Sequence, residues 1–175
     1  IQLERFQIRE EVARMRVRTE FRLSPLSKIV GMIGSVQEVK GHYLLVEAAR
    51  EVVRKIPEAR FLIVAGSVDS NYSRSWKGRI KRLMGWPMDN MDRMHRMVHR
   101  LGLEEHFVFA GFRQNIAELL AAMDVLAFIP QADEGFGRPI IEAMAAGRPV
   151  VATDVGPSRE VLGNDAGLLV PHSDK

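Results

Sequence analysis

The sequence predicts a doubly wound α/β domain: a mainly parallel, six-stranded sheet with helices on both faces. Two observations lead there. From Lys28 onward, short apolar runs alternate with stretches of helical periodicity, and most of the runs stop at glycine or proline. A strand buried on both faces reads as such a run, and strand–helix alternation implies right-handed crossovers between parallel strands.

The elements follow in order. Residues 28–34, "KIVGMIG", form the first run. In 41–56, Leu44, Leu45, Ala48, Ala49, Val52, Val53 and Ile56 recur at helical spacing until Pro57 ends the pattern. Strands are expected at 59–66, 106–111, 124–130, 148–154 and 167–171, and helices at 90–101, 114–123, 139–146 and 157–162. The opening 22 residues carry six Arg against four Glu and read as a solvated helix. Met91, Met94 and Met97 are expected to fill the core.

Composition narrows the function classes. At 175 residues and 46% hydrophobic, the chain can bury one sizeable core. It lacks cysteine, which excludes disulfides and thiolate metal sites and fits a reducing compartment. A net charge of +3 is too small to argue for nucleic acid, and none is expected as a partner. No run approaches the ~18 apolar residues of a membrane span. Charge is concentrated between Arg74 and Arg100, with eight Lys or Arg against two Asp. Within it, 75–87 carries Ile80, Leu83 and Met84 on one face, basic residues around the rest, and Trp76 and Trp86 at its ends. The preferred reading is a helix packed on the sheet with a solvated basic face. The other is peripheral contact with anionic lipid.

The stretch "EGFGRPIIEAMAAGRPVVATD" (134–154) holds the chemistry. Gly135 and Gly137 permit a steep turn and close approach of a ligand to the backbone. Pro139 suits a helix start, and the amides of 135–138, Phe136 and Arg138 among them, would face an anion at the positive helix end. Glu134 and Glu142, with seven residues between them, could accept hydrogen bonds from sugar or ribose hydroxyls. On physical grounds alone a second reading stands beside this one: Glu134 caps the turn and Glu142 complements the helix dipole. At the first strand's exit, Gly34 and Ser35 open a loop that ends at Lys40, which could reach a phosphate or lie exposed. The chain contains neither a Walker A loop nor GxGxxG.

At these residues the chain resembles the C-terminal, donor-binding domain of the retaining family 4, or group 1, GT-B glycosyltransferases. "EGFGRPIIEAMAAGRPVVATDVGPSREVL", "VGMIG…VKGHYLLVEAA", "LGLEEHFVFAGF" and "LLAAMDVLAFIP" match its motifs in order, and "IQLERF" resembles its interdomain linker. The resemblance implies a Rossmann-like domain over 28–175, preceded by a linker and N-terminal helix over 1–27. It implies that Glu134 holds and steadies the donor sugar, that Glu142 binds the ribose, and that Lys40 and the 135–138 amides hold the diphosphate. Phe112 and Arg113 would lie beside the base. The donor would be a UDP, GDP or ADP sugar, used without metal or other cofactor in cytoplasmic glycan synthesis; the alternative, lipid-contacting reading of 75–87 would place the protein at the inner membrane face.

One position departs from the pattern. The family usually has Gly-Arg after the first strand, whereas this chain reads Gly34-Ser35, so a second diphosphate cation must come from elsewhere, Arg138 being one candidate. The acceptor half and the closing helices are absent from the 175 residues, so this stretch is expected to bind donor without turning over. Two other classes compete: a nucleotide-sugar epimerase of like architecture, and a non-catalytic αβ binding module.

Overall fold

A computed structural model describes residues 3–6, 8–66, 89–132, 135–156, 158–163 and 166–172. The readings placed on 75–87 and on Glu134 lie outside them. Among the described residues, six strands form one sheet: β1 (Lys28–Ile33), β2 (Ala59–Val64), β3 (Phe107–Phe109), β4 (Val125–Phe128), β5 (Val150–Thr153) and β6 (Gly167–Val170). Their order is β3-β2-β1-β4-β5-β6, and every neighbouring pair is parallel. This is the doubly wound, Rossmann-like order. It reverses direction between β1 and β4, where a crevice opens beyond the strand ends.

The helices are α1 (Glu10–Glu20), α2 (His42–Lys55), α3 (Asn90–Arg100), α4 (Ile116–Ala122), α5 (Arg138–Ala145) and α6 (Ser158–Leu162). Side chains alternate across each strand, and the core divides accordingly. Leu62, Val64, Leu126 and Phe128 point to one face with Leu119, Leu120, Met123 and Ile140. Phe61, Ile63, Ala127 and Ile129 point to the other with Leu45, Val46, Met94 and Val98. Met94 is fully buried, with Met91 and Met97 packed beside it. A Cβ at Gly31, inside β1, would lie 1.9 Å from Met123 Sδ, so any larger residue would force the buried Met123 to move.

α1 corrects one expectation. It is solvated on one side only: Ala13, Val17 and Arg18 are buried, and it packs along α4. Arg18 donates to the carbonyls of Ser24 (2.5 Å), Pro25 (3.2 Å) and Ser27 (3.0 Å), closing the turn into β1. Asp124, just before β4, accepts from Arg14 (2.6 Å) and from the Ile29 amide (2.7 Å), with Arg18 at 3.7 Å. Burial alone would push this carboxyl up. The Ile29 amide and the Arg14 guanidinium outweigh it and hold Asp124 below the usual carboxylate value. Asp124 therefore pins α1 to the centre of the sheet.

Candidate functional site: a cleft at the switch point

The loop after β1 begins at Gly34, whose φ of 142° is open only to glycine and whose amide extends the sheet to Val64 O at 3.0 Å. A single 3-10 turn, Glu38–Lys40, then leads through Gly41 into α2. Gly41 has φ 80°, and a Cβ there would lie 2.0 Å from the Ile129 carbonyl oxygen. The Gln131 amide donates to Val39 O at 2.6 Å. The β1 and β4 exits are thus clamped together, and Lys40 is returned towards Gly34, its Nζ 3.7 Å from where a Gly34 Cβ would stand.

Beyond β4, Gly137 takes φ 64° and turns the chain into α5. The helix begins at Arg138, one residue before the expected start, so Pro139 is its second residue, still within the turn whose amides have no helical acceptor. Glu142 is 6% exposed and accepts from Arg138 Nε at 2.7 Å. Arg138 occupies the positive end of its helix, where a cation is disfavoured unless an anion is nearby. Its Glu142 partner offsets part of that cost, and a bound anion would offset more.

These elements enclose one cleft of about 690 Å³, lined by Gly34, Lys40, Phe112, Arg113, Gly135, Phe136, Gly137, Arg138 and Glu142, together with Arg5, Ile33, Gln114, Ile116 and Pro139. Every expected donor-binding residue lines it except Ser35. Ser35 lines an adjoining cavity of about 300 Å³ that shares Gly34, Phe112 and Arg113, and its hydroxyl accepts from Gln37 at 3.0 Å. Phe112 and Phe136 are 74% and 65% exposed at the cleft, unpaid apolar surface that a flat ring could cover. Arg113 is anchored away from solvent: it donates to Ala110 O at 2.9 Å, pairs with Glu20 at 2.5 Å and lies over the Phe21 ring. It braces that wall of the cleft.

Three features were not anticipated from the sequence. Arg5 reaches the cleft from the 3-10 turn Leu3–Phe6, and nothing in its local sequence marks it. The Arg138–Glu142 pair was available from its i, i+4 spacing. His42, at the start of α2, is fully buried behind the β1 loop. Its ring faces the backbone of Gln37 and Gly34 without a hydrogen bond of standard geometry, and burial, aided by Lys40, lowers its pKa to about 4. The imidazole is therefore neutral at pH 7.

Comparison with known proteins gives a consistent answer. The family described as "Glycosyl transferases group 1" matches residues 27–175. A D-inositol 3-phosphate glycosyltransferase of Nocardia farcinica is 33% identical over 162 residues, covering 90% of this chain and 32% of the relative. The lipopolysaccharide core biosynthesis mannosyltransferase LpsB of Rhizobium meliloti is 32% identical over 155 residues, covering 87% of this chain and 39% of that protein. Among solved structures, Anabaena Alr3699/HepE in complex with UDP-glucose superimposes with a TM-score of 0.81 at 26% identity, covering 99% of this chain and 42% of that one. The chain thus spans about a third of the length of the curated relatives it matches. No described helix is long and apolar enough to cross a membrane.

Proposed function

We propose, from the premise that the chain belongs to the group 1 glycosyl transferases and forms a Rossmann-like half of their GT-B architecture, that its cleft binds a nucleoside diphosphate sugar for transfer. The observation that carries the reading is the convergence of Gly34, Lys40, the 135–138 backbone and Glu142 on one cleft at the sheet's switch point. In this reading 28–175 is the donor domain, and 1–27 is the linker and helix that join it to an acceptor half.

Each role follows from chemistry. The buried Glu142 carboxylate, at the wall of the cleft, has one oxygen engaged by Arg138 and another to accept from ribose hydroxyls. Lys40 and the positive end of α5 hold the diphosphate and stabilise the charge it gains as it leaves, without a metal. Glu134 holds a donor-sugar hydroxyl and steadies the reacting carbon. The bond from that carbon to the diphosphate breaks with its electron pair leaving on the phosphate oxygen. The acceptor hydroxyl then bonds to the same carbon, passing its proton to the departing diphosphate oxygen, with configuration retained and a hexosyl group as cargo. Phe112 offers the base a face to stack on. The cysteine-free composition suits the cytoplasm, and 75–87 is the segment we assign to any membrane contact.

The test is a set of four affinities with melting temperatures as control. Glu142→Ala should weaken both a bare nucleoside diphosphate and its sugar by roughly 1.5–3 kcal/mol, the scale of hydrogen bonds to a charged acceptor. Glu134→Ala should spare the bare diphosphate and weaken only the nucleotide sugar. Calorimetry with UDP, GDP and ADP and their glucose or mannose conjugates identifies the base. Binding of none of them by folded protein, or equal effects of both alanines on both ligands, defeats this assignment.

A further inference from the structure

We infer that Arg5 supplies the second positive charge that holds the donor's diphosphate, reaching the cleft from the segment that precedes the sheet. This rests on the nucleotide-sugar reading above and names a residue which that reading lacked.

A diphosphate carries more than one negative charge, and the β1 loop contributes a single cation, Lys40. Ser35 offers that loop only a hydroxyl, already accepting from Gln37. The other guanidiniums on the cleft are at least partly engaged: Arg113 by Glu20 and the Ala110 carbonyl, Arg138 through its Nε by Glu142. Arg5 differs. It is exposed, lines the cleft, and also lines the adjoining cavity of about 630 Å³ behind Glu142. Neither described carboxylate of that cavity pairs with it: Glu118 is bound by Arg16 at 2.8 Å and Glu142 by Arg138.

Its position is built rather than casual. The 3-10 turn Leu3–Phe6 packs against α4 and α5, and Phe6, the next residue, packs on the central core. That anchor delivers Arg5 to the end of α5 where Arg138 and the helix dipole already concentrate positive charge. Adding another cation there is unfavourable until an anion arrives. A guanidinium with an unengaged fork can then grip phosphate oxygens in bidentate fashion.

The test compares Arg5→Gln and Arg5→Lys with the unaltered chain. NMR shift titrations with UDP, GDP and ADP and the matching nucleosides are run at low and high salt. For the nucleotide that binds, Arg5→Gln should weaken the diphosphate about tenfold at low salt, the lower end for charge-assisted hydrogen bonds. The loss should shrink as salt screens the charge, and the nucleoside should be unaffected. Arg5→Lys should recover part of the affinity, and melting temperatures should stay level because Arg5 is exposed. Unchanged diphosphate affinity in Arg5→Gln overturns the inference while leaving the functional reading intact. Equal losses for nucleoside and diphosphate overturn it too, by placing Arg5 on the base or ribose. If the unaltered chain binds no nucleoside diphosphate, the functional reading fails and this inference falls with it.

Discussion

His42 opens α2 with its imidazole fully buried, so its protonation is coupled to unfolding. In an unfolded chain the ring takes up a proton near pH 6.5; in the fold, burial delays this to about 4. Folding therefore favours the neutral form. The associated stability is complete above about pH 6.5, falls as pH descends between the two values, and levels off below about 4. A shift of between two and three units at ~1.4 kcal/mol each amounts to about 3 kcal/mol, of which about 2 kcal/mol is lost by pH 5. That is a large share of the ~5–15 kcal/mol available to a typical domain. The assay is urea unfolding of the unaltered chain and His42→Gln at intervals from pH 7.5 to 5. The unaltered chain should lose stability across this range, and the variant should lose about 2 kcal/mol less of it. Asp124 does not blur the comparison, because its carboxyl is held low and releases its contribution only in stronger acid. His95 is also lowered, chiefly by burial, but contributes equally to both proteins. Parallel pH profiles for the two would refute the reasoning and mean that the ring is solvated or finds a partner when charged.

Two further substitutions probe the frame of the cleft. Asp124→Asn removes the charge that Arg14 and the buried Arg18 face while keeping the side chain's shape. It should cost about 1.5–3 kcal/mol by urea unfolding at pH 7, and the two proteins should converge in strong acid as the carboxylate of the unaltered chain is lost. Gly41→Ala combines a left-handed backbone with a Cβ placed 2.0 Å from the Ile129 carbonyl oxygen. It should destabilise by more than about 2 kcal/mol in thermal melts, and the folded remainder should bind nucleoside diphosphate more weakly because Lys40 is displaced.

The order and type of the main described elements were legible in the chain because a parallel strand covered on both faces must be apolar throughout. "KIVGMIG", "ARFLIVAG" and "DVLAFIP" could hardly serve otherwise. The glycine or proline that ends each run marked the edge where a ligand would gather. Gly34 and Gly137 do adopt positive φ at that edge, and Lys40 and Glu142 both line the cleft there. Strand order was not legible, since alternation implies parallel pairing but not which strands are neighbours. Arg18 was hidden among six arginines that look alike in sequence; it is buried because three turn carbonyls before β1 need a donor. His42 looked like any helix-opening residue, and its low pKa comes chiefly from burial behind the packed β1 loop, with Lys40 adding to it. Arg5 is the extreme case: 35 positions from Lys40 in the chain, it joins the same cleft because Phe6 anchors its turn on the core. Local sequence determined the backbone shapes that strands, turns and helix starts require. Only tertiary packing decided which charges are buried, which are paired, and which remain available to a ligand, because those depend on neighbours distant along the chain.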